Sequence, residues 1–421
     1  MKFDANVIVV GAGVAGLSAA AALRRAGRSC IVLEALARSG GRAWTTPFGD
    51  AAFDQGAYWL HAAERNPLTD LARATGETLR DAQGDWTGQV RVGHRPATDA
   101  EREAYGAAWE EISTLLTARA AQPGDIAFAD ALAPLRGNPW AATIETWEAC
   151  LIAAAPPAEF SLHDWQANEL TGSNLNVAGG LGAFIERRLA PLAGPVRHAT
   201  PVRRITWDRP GGVEITTPAG RLTARACIVT VSTGVLAAGG IEFDPPLPAE
   251  RREAIAALPM GLLSKVALRA DGPDRFGLPQ GASVHRQVVP GARAMFFLAW
   301  PGGADHVVGF IGGPDAWDLS RAGPQAAGAF ARAEFASLLD GNARMGAAVV
   351  TDWGENPAFL GAYAYARPGH AAARAAMDSP LGALLFAGEA WCSDGLAGTV
   401  AGAFNSGARA AALALEIADG R

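Results

Sequence analysis

The chain has 421 residues, 49% hydrophobic and 19% charged, with a formal net charge of −6. That length supports two or three core-forming units, and that balance excludes long disorder. The acidic charge and the absence of any basic run exclude a nucleic-acid partner.

The chain enters a strand almost at once: residues 7–10 read VIVV, a continuous apolar run of the kind found in buried parallel strands. No charged and apolar leader precedes it, so a cytoplasmic protein is expected. Residues 14–26 carry Ala and Leu at helical spacing and stop at Gly27, and a second apolar run at 30–33 ends in Glu34. Strand, glycine turn, helix, strand and acid make a βαβ unit. Residues 86–175 read as a helical insertion, with helical stretches such as 100–120 alternating with Pro/Gly breaks. Strand patterns return over 196–231 and 258–312, separated by Pro/Gly turns. A helix over 323–340, a strand over 348–352, a short buried strand at 384–386 and a closing helix over 400–418 complete the chain. No run of about 18 apolar residues occurs, so no membrane span is expected. Cys30, Cys150, Cys227 and Cys392 lie far apart without metal or disulfide spacing, and read as reduced thiols with no metal site.

This order predicts an α/β protein in which a Rossmann-type dinucleotide domain is interleaved with an α+β substrate domain. The first is expected to take residues 1–85, 190–250 and 380–421, and the second 86–189 and 251–379, including the helical insertion. Gly11, Gly13 and Gly16 spell GxGxxG between strand and helix. The first glycine permits the turn, the second lets the backbone approach a pyrophosphate, and the third lets the helix pack on the strand. The helix N-terminus offers unpaired N–H groups to phosphate. Glu34, 18 residues after Gly16, is placed to accept both ribose hydroxyls and to repel a 2′-phosphate. The motif by itself leaves NAD and FAD both open.

Further motifs decide between them. SGGRAWT at 39–45, FDQGAYWLH at 53–61 and FAGEAWCSDGLAGTVAGAFNSG at 386–407 together resemble the flavin-containing amine oxidase family, which includes monoamine oxidases, polyamine oxidases and histone lysine demethylases. The resemblance covers both ends and several interior blocks, and leaves out the insertion. It implies FAD as cofactor. It implies that Gly40, Gly41 and Arg42 lie along the pyrophosphate, where a guanidinium fork suits phosphate. It implies that Val202 pairs its backbone with adenine, and that Gly388 and Glu389 meet ribityl or phosphate-side hydroxyls. Thr399 and Val400 open a helix whose N–H groups would face the flavin pyrimidine, where negative charge collects on reduction. Lys265 matches the lysine that holds a water near flavin N5. Of the 36 basic residues only Lys2 and Lys265 are lysines, which draws attention to the latter. The bland alternatives are a solvated Arg42 in a surface turn and an edge-strand Lys265 facing water.

Two departures shape the reading. Ala362 stands where monoamine oxidases carry a flavin-linking cysteine, so non-covalent FAD is expected. Tyr363 matches one tyrosine of their aromatic pair, but Thr399 matches the other, a pairing more like polyamine oxidases and lysine demethylases. His61 and Trp391 are further candidates for the pocket, His61 equally as a hydrogen-bonded structural histidine. The expected activity is FAD-dependent oxidation of a small amine, with O2 reduced to H2O2. An L-amino-acid oxidase, an amine dehydrogenase with a protein electron acceptor, a carotenoid-type desaturase and a catalytically silent flavin module are the rivals. A disulfide reductase would need a second GxGxxG and a close cysteine pair, and neither occurs. The sequence fixes no oligomeric state and is compatible with a homodimer.

Overall fold

The computed structural model describes residues 3–82, 89–271 and 274–419. The first three residues of the expected insertion, 86–88, lie outside that set.

The sequence begins with β1 (Ala5–Val10), α1 (Val14–Arg25) and β2 (Cys30–Leu33). The strands pair in parallel, with Val7 opposite Cys30 and Val10 opposite Leu33. The apolar run of β1 has a simple cause: both faces of the strand are covered. Val7 and Val9 pack with Leu17 and Leu23 of α1, whereas Ile8 and Val10 face a second core built around Ile205, Ile215 and Ile255. Alternate side chains of a strand point to opposite faces, so a strand buried on both needs apolar residues throughout. The long strand Gly220–Val229 pairs with β1 on one side and, antiparallel, with Gly212–Thr217 on the other, while Leu384–Phe386 adds a parallel pairing near its end. Glu242–Asp244, Arg204–Arg209 and Val196–Arg197 complete this eight-stranded sheet.

The closing helix, Val400–Ala418, lies on α1. Gly407 makes this approach possible, because a Cβ there would fall 2.1 Å from the carbonyl oxygen of Ala15. The last helix and the first therefore share one core, through Ala410, Ala411 and Ala414.

A second sheet runs in the order Met345–Val350, Leu263–Ala270, His306–Gly312, Phe296–Ala299, Ser283–Arg286, Gln89–Val92, Arg95–Pro96. Its back is covered by the helices Pro314–Ala322 and Pro324–Leu338, through Ala316, Leu319, Ala331 and Phe335. Its front carries Ala267, Phe296, Leu298, Val308 and Phe310.

The region 86–175 is less purely helical than its composition predicts. Gln89–Val92 and Arg95–Pro96 are edge strands of the second sheet, and Leu175–Val177 pairs with Leu79–Asp81. The helical part begins at Thr98, whose hydroxyl and the Glu101 carboxylate cap the helix Asp99–Ala120 reciprocally. Residues 177–189, grouped by the sequence with the substrate unit, pack into the first core through Leu181, Phe184, Ile185 and Leu189. Among the described residues no helix is long and apolar enough to cross a membrane.

Candidate active site

Residues from both sheets and from the helical block line one cavity of about 1130 Å3. Every candidate residue named from the sequence is on its wall except Gly16 and Trp391.

The end beside β1 is made of backbone. Gly11 has φ +103°, and a Cβ there would meet Thr230 Oγ1 at 2.6 Å, so both conformation and space demand glycine. Gly13 precedes α1 with no side-chain cap, and the first turn of the helix carries no acid. Gly13, Val14 and Ala15 line the cavity, presenting the positive end of the helix to it. A Cβ on Gly13 would make only an ordinary 3.9 Å contact with Gly41, so the protein itself does not forbid a side chain there. Gly16 sits behind this surface: its Cβ would lie 1.9 Å from the Gly11 carbonyl oxygen, as its packing role requires. Gly40 and Gly41 both have positive φ, and Gly40 N–H donates to Ala12 O.

Glu34 is 7% exposed and accepts from the N–H groups of Ala12 at 2.6 Å and Leu36 at 2.8 Å. These two bonds fix the carboxylate, which keeps lone pairs for hydroxyl donors. Val202 lines the same end, and its main-chain N–H and C=O have no protein partner among the described residues. An open amide beside an apolar wall suits a purine edge. An uncapped helix N-terminus, a fixed carboxylate and an open main-chain amide just before a strand fit the pyrophosphate, ribose and adenine of FAD.

Arg42 and Glu389 form a 2.8 Å ion pair on the cavity wall. Arg42 Nη1 also donates to Ala362 O, while Nε and Nη2 make no protein hydrogen bond among the described residues. Glu389, 6% exposed, also accepts from Ala364 N–H. The sequence assigned these residues to separate partners on the cofactor; the pairing arises because a buried carboxylate needs a compensating charge.

The opposite end is made of side chains. Lys265 lies on the front of the second sheet, across from Phe310, and is 5% exposed. Its ammonium donates to the carbonyl oxygens of Asp54, at 2.9 Å, and Gly56. The rings of Tyr58 and Phe310 lie 5.5 and 5.7 Å from it. Burial pulls its pKa down to about 8, with the Asp54 charge opposing. Tyr363 donates its hydroxyl to Leu151 O at 2.8 Å, and burial raises its pKa. Its ring stands beside Gly398, next to Thr399, where a Cβ would meet Tyr363 Cδ2 at 3.6 Å. Thr399 commits its hydroxyl to the backbone, donating to Leu396 O and accepting from Gly402 N–H as the cap of the closing helix. Val400 follows it on the cavity wall. His61 contacts Asn174 Oδ1 at 2.7 Å through Nδ1, and burial lowers its pKa despite that bond.

Trp391, expected in the pocket, lies in the second core at 1% exposure. The tight turn Glu389–Trp391 sends Glu389 to the cavity and carries the indole two residues on, to the other side.

Sequence reasoning missed Glu148. It lies in the π-helical turn Thr146–Ile152 and lines the cavity. Its Oε2 accepts from Trp165 Nε1 at 2.8 Å, and burial raises its carboxyl pKa. The signal was a single acid in the apolar stretch TWEACLIAAA. The buried pair Asp164–Arg374, bidentate at 2.6 and 2.7 Å, also lines the cavity and went unread.

Known proteins resemble both halves of this arrangement. The family of NAD(P)-binding Rossmann-like domains matches residues 9–75. Polyamine oxidase 4 of Oryza sativa subsp. japonica is 28% identical over 96% of this chain and 88% of its own length. Polyamine oxidase 2 of Arabidopsis thaliana is 28% identical over 96% of this chain and 87% of its own length. A solved structure of putrescine oxidase bound to putrescine superposes with a TM-score of 0.80 at 22% identity, covering 98% of this chain and 99% of that one, a match of fold. The flavin-containing amine oxidoreductase family matches residues 149–415, more than half of the chain. The protein is an oxidoreductase of the flavin-containing amine oxidoreductase family, with FAD as its cofactor.

Proposed function

We propose that this enzyme oxidises the C–H bond beside a neutral amine nitrogen, with O2 as the final acceptor. The balance is amine, O2 and water giving aldehyde or ketone, ammonia or a smaller amine, and H2O2. FAD, when bound, supplies the two-electron acceptor for that C–H bond. The protein supplies orientation, dryness and charge.

In this reading the N–H groups of Val14 and Ala15, with Arg42, hold the pyrophosphate. Glu34 accepts from the adenosine ribose, Val202 pairs with adenine through its backbone, and Glu389 stays near the ribityl chain. Gly11, Gly13, Gly40, Gly41 and Gly388 keep the backbone low along the cofactor. The N–H of Val400, at the start of the closing helix, faces the pyrimidine edge, with Thr399 capping that helix beside it. Ala362 offers no thiol, so the flavin is held without a covalent bond. The stretches 1–85, 190–250 and 380–421, with 177–189 packed on their core, serve the cofactor, and 86–176 and 251–379 the substrate.

Lys265 is the residue that holds a water and shuttles a proton beside the reacting centre. Its lowered pKa supports that role, because an ammonium with pKa about 8 gives up its proton near neutral pH. Tyr363, fixed by Leu151 O, presents its ring to the amine. His61, neutral through burial, shapes the wall beside it. Glu148 offers a negative group to a second, protonated amine on a longer substrate, which supports diamines and polyamines as the class.

The carrying observation is that Lys265, Tyr363 and Glu148 share one cavity with the glycine-lined anion site. An amino-acid oxidase would need a free arginine to clamp carboxylate at this end. Arg374 is committed to Asp164, and Arg42, paired with Glu389 through Nη1, turns to the pyrophosphate, which favours amines. The test is a panel of monoamines, diamines and L-amino acids mixed anaerobically with the holoenzyme. Flavin bleaching by diamines, and peroxide on admitting air, are expected. Bleaching by amino acids alone would overturn the reading.

A further inference from the structure

Lys265 is a wall of two cavities. Beside the large one lies a second, with a volume of about 50 Å3. Roughly 10–15 Å3 is enough for one water if two to four polar partners surround it. The small cavity has such partners in Lys265, Tyr58, Asn176 and His306. Asn176 Nδ2 donates to the Tyr58 hydroxyl at 3.1 Å. The lining runs from the buried ammonium out to Ala52, Arg80 and Gly302, all exposed. At that outer end Arg80 Nη1 donates to Gly302 O at 3.4 Å, so an exposed side chain lies across the mouth.

Two observations point to water as the occupant. His306 is 1% exposed, and its ring Nδ1 has no hydrogen-bond partner among the described residues. Buried polar atoms are almost always satisfied, by protein or by ordered water, and the cavity wall is where His306 meets open space. In addition, an ammonium carries three donors. Two of those of Lys265 go to Asp54 O and Gly56 O, which leaves one N–H without a protein acceptor among the described residues.

We propose that the small cavity is a hydration chamber through which Lys265 exchanges protons with bulk water while the large cavity is filled. The step conserves atoms and charge. One Nζ–H bond breaks, the proton passes to a chamber water, and that water releases a proton outward at the Arg80 end. Nζ keeps the electron pair, and the reverse path reprotonates it. The groups facing the ammonium suit this traffic. Asp54 is adjacent, and burial raises its pKa. Tyr58 is pushed by burial to about 12 and stays protonated, while His306 is pulled by burial to about 4 and stays neutral. Arg80 stands across the chamber as the one permanent cation on its wall among the described residues. Amine and cofactor together would close the large cavity to water, which makes a back entrance useful. On this point alone the chamber rests on the reading of the preceding subsection.

The sequence provides the probe. With only Lys2 and Lys265, 15N-lysine labelling gives two side-chain signals, and the one missing from Lys265→Met is Lys265. Nζ proton exchange is measured in dithionite-reduced holoenzyme under argon, saturated with 1,4-diaminobutane, where no oxidation can proceed. Wild type is expected to keep exchanging. Asn176→Leu, which fills the chamber, is expected to slow exchange at least about tenfold, since exchange then waits on local opening. Ala52→Trp, at an exposed position of the mouth, is expected to do the same and serves if the first variant misfolds. Arg80→Ala is expected to leave exchange as fast or faster. Equal exchange in wild type and both blocked variants overturns the chamber. Anaerobic bleaching by amine is followed in the same preparations of oxidised holoenzyme. Gated exchange without any bleaching would remove amine oxidation and keep the chamber; bleaching with ungated exchange would remove the chamber alone.

Discussion

The two ends of the large cavity are built from different materials. At the end beside β1 the protein offers main-chain groups: glycines at positions 11, 13, 40 and 41, the first turn of α1, and the open amide of Val202. At the other end it offers side chains brought from three distant stretches, Lys265 from the second sheet, Glu148 from the helical block and Tyr363 near the C-terminal motif. A backbone site is written into the sequence as missing side chains at fixed spacing. A side-chain site depends on how far-apart elements pack, so no local spacing announces it.

The sharpest way to break that contrast is at glycine. Gly13→Val should fold with near-normal stability, because its Cβ meets only Gly41 at 3.9 Å, yet it should lose FAD and all activity. Gly16→Ala should instead damage the fold, because its Cβ would lie 1.9 Å from the Gly11 carbonyl oxygen. Thermal unfolding and flavin absorbance of the two variants separate the cases. A Gly13→Val protein that still binds FAD would show that this end is not the pyrophosphate site.

At the other end, Lys265→Met should keep FAD and lose roughly 100-fold or more in turnover, the size of effect typical of proton transfer. It also carries a stability signature. Burial lowers the folded-state pKa of Lys265 from 10.5 to about 8. Between those values the unfolded chain holds more protons than the folded one, so wild-type stability rises with pH through that window. Below pH 8 the buried charge weighs against the folded state by about 3 kcal/mol. Denaturant unfolding at pH 7 and pH 10.5 should therefore show wild type gaining up to about 3 kcal/mol relative to Lys265→Met. No pH-dependent difference would mean the ammonium is solvated.

The smallest expected effect sharpens the contrast further. Glu148→Gln should raise KM for a diamine about tenfold, close to 1.4 kcal/mol, and leave FAD binding and monoamine KM nearly unchanged. Steady-state kinetics with paired mono- and diamines of equal chain length checks this. Equal KM changes for both would remove Glu148 from substrate recognition.

How much could be read beforehand follows the same division. Gly11, Gly13, Gly16, Glu34 and the helix starting after Thr399 were legible because each is a local rule: a turn only glycine makes, a strand-end acid, a hydroxyl cap. Lys265 was legible through its rarity and its match to a motif. Trp391 was misassigned because a three-residue turn decides which of two neighbours faces the cavity, and spacing does not reveal the turn. Glu148 went unread because the π-helical turn that sets its direction has no sequence mark beyond an acid among apolar residues. The Arg42–Glu389 and Asp164–Arg374 pairs join residues hundreds of positions apart. The strands at Gln89–Val92 and Arg95–Pro96 were hidden by the helix that follows them.

Both ends of the large cavity must belong to one site for a single cofactor to join them. A crystal structure of the holoenzyme tests it directly. It should place the FAD pyrophosphate against the N–H groups of Val14 and Ala15, and the isoalloxazine in the same cavity beside Lys265. A flavin bound elsewhere, or a ring remote from Lys265, would contradict it.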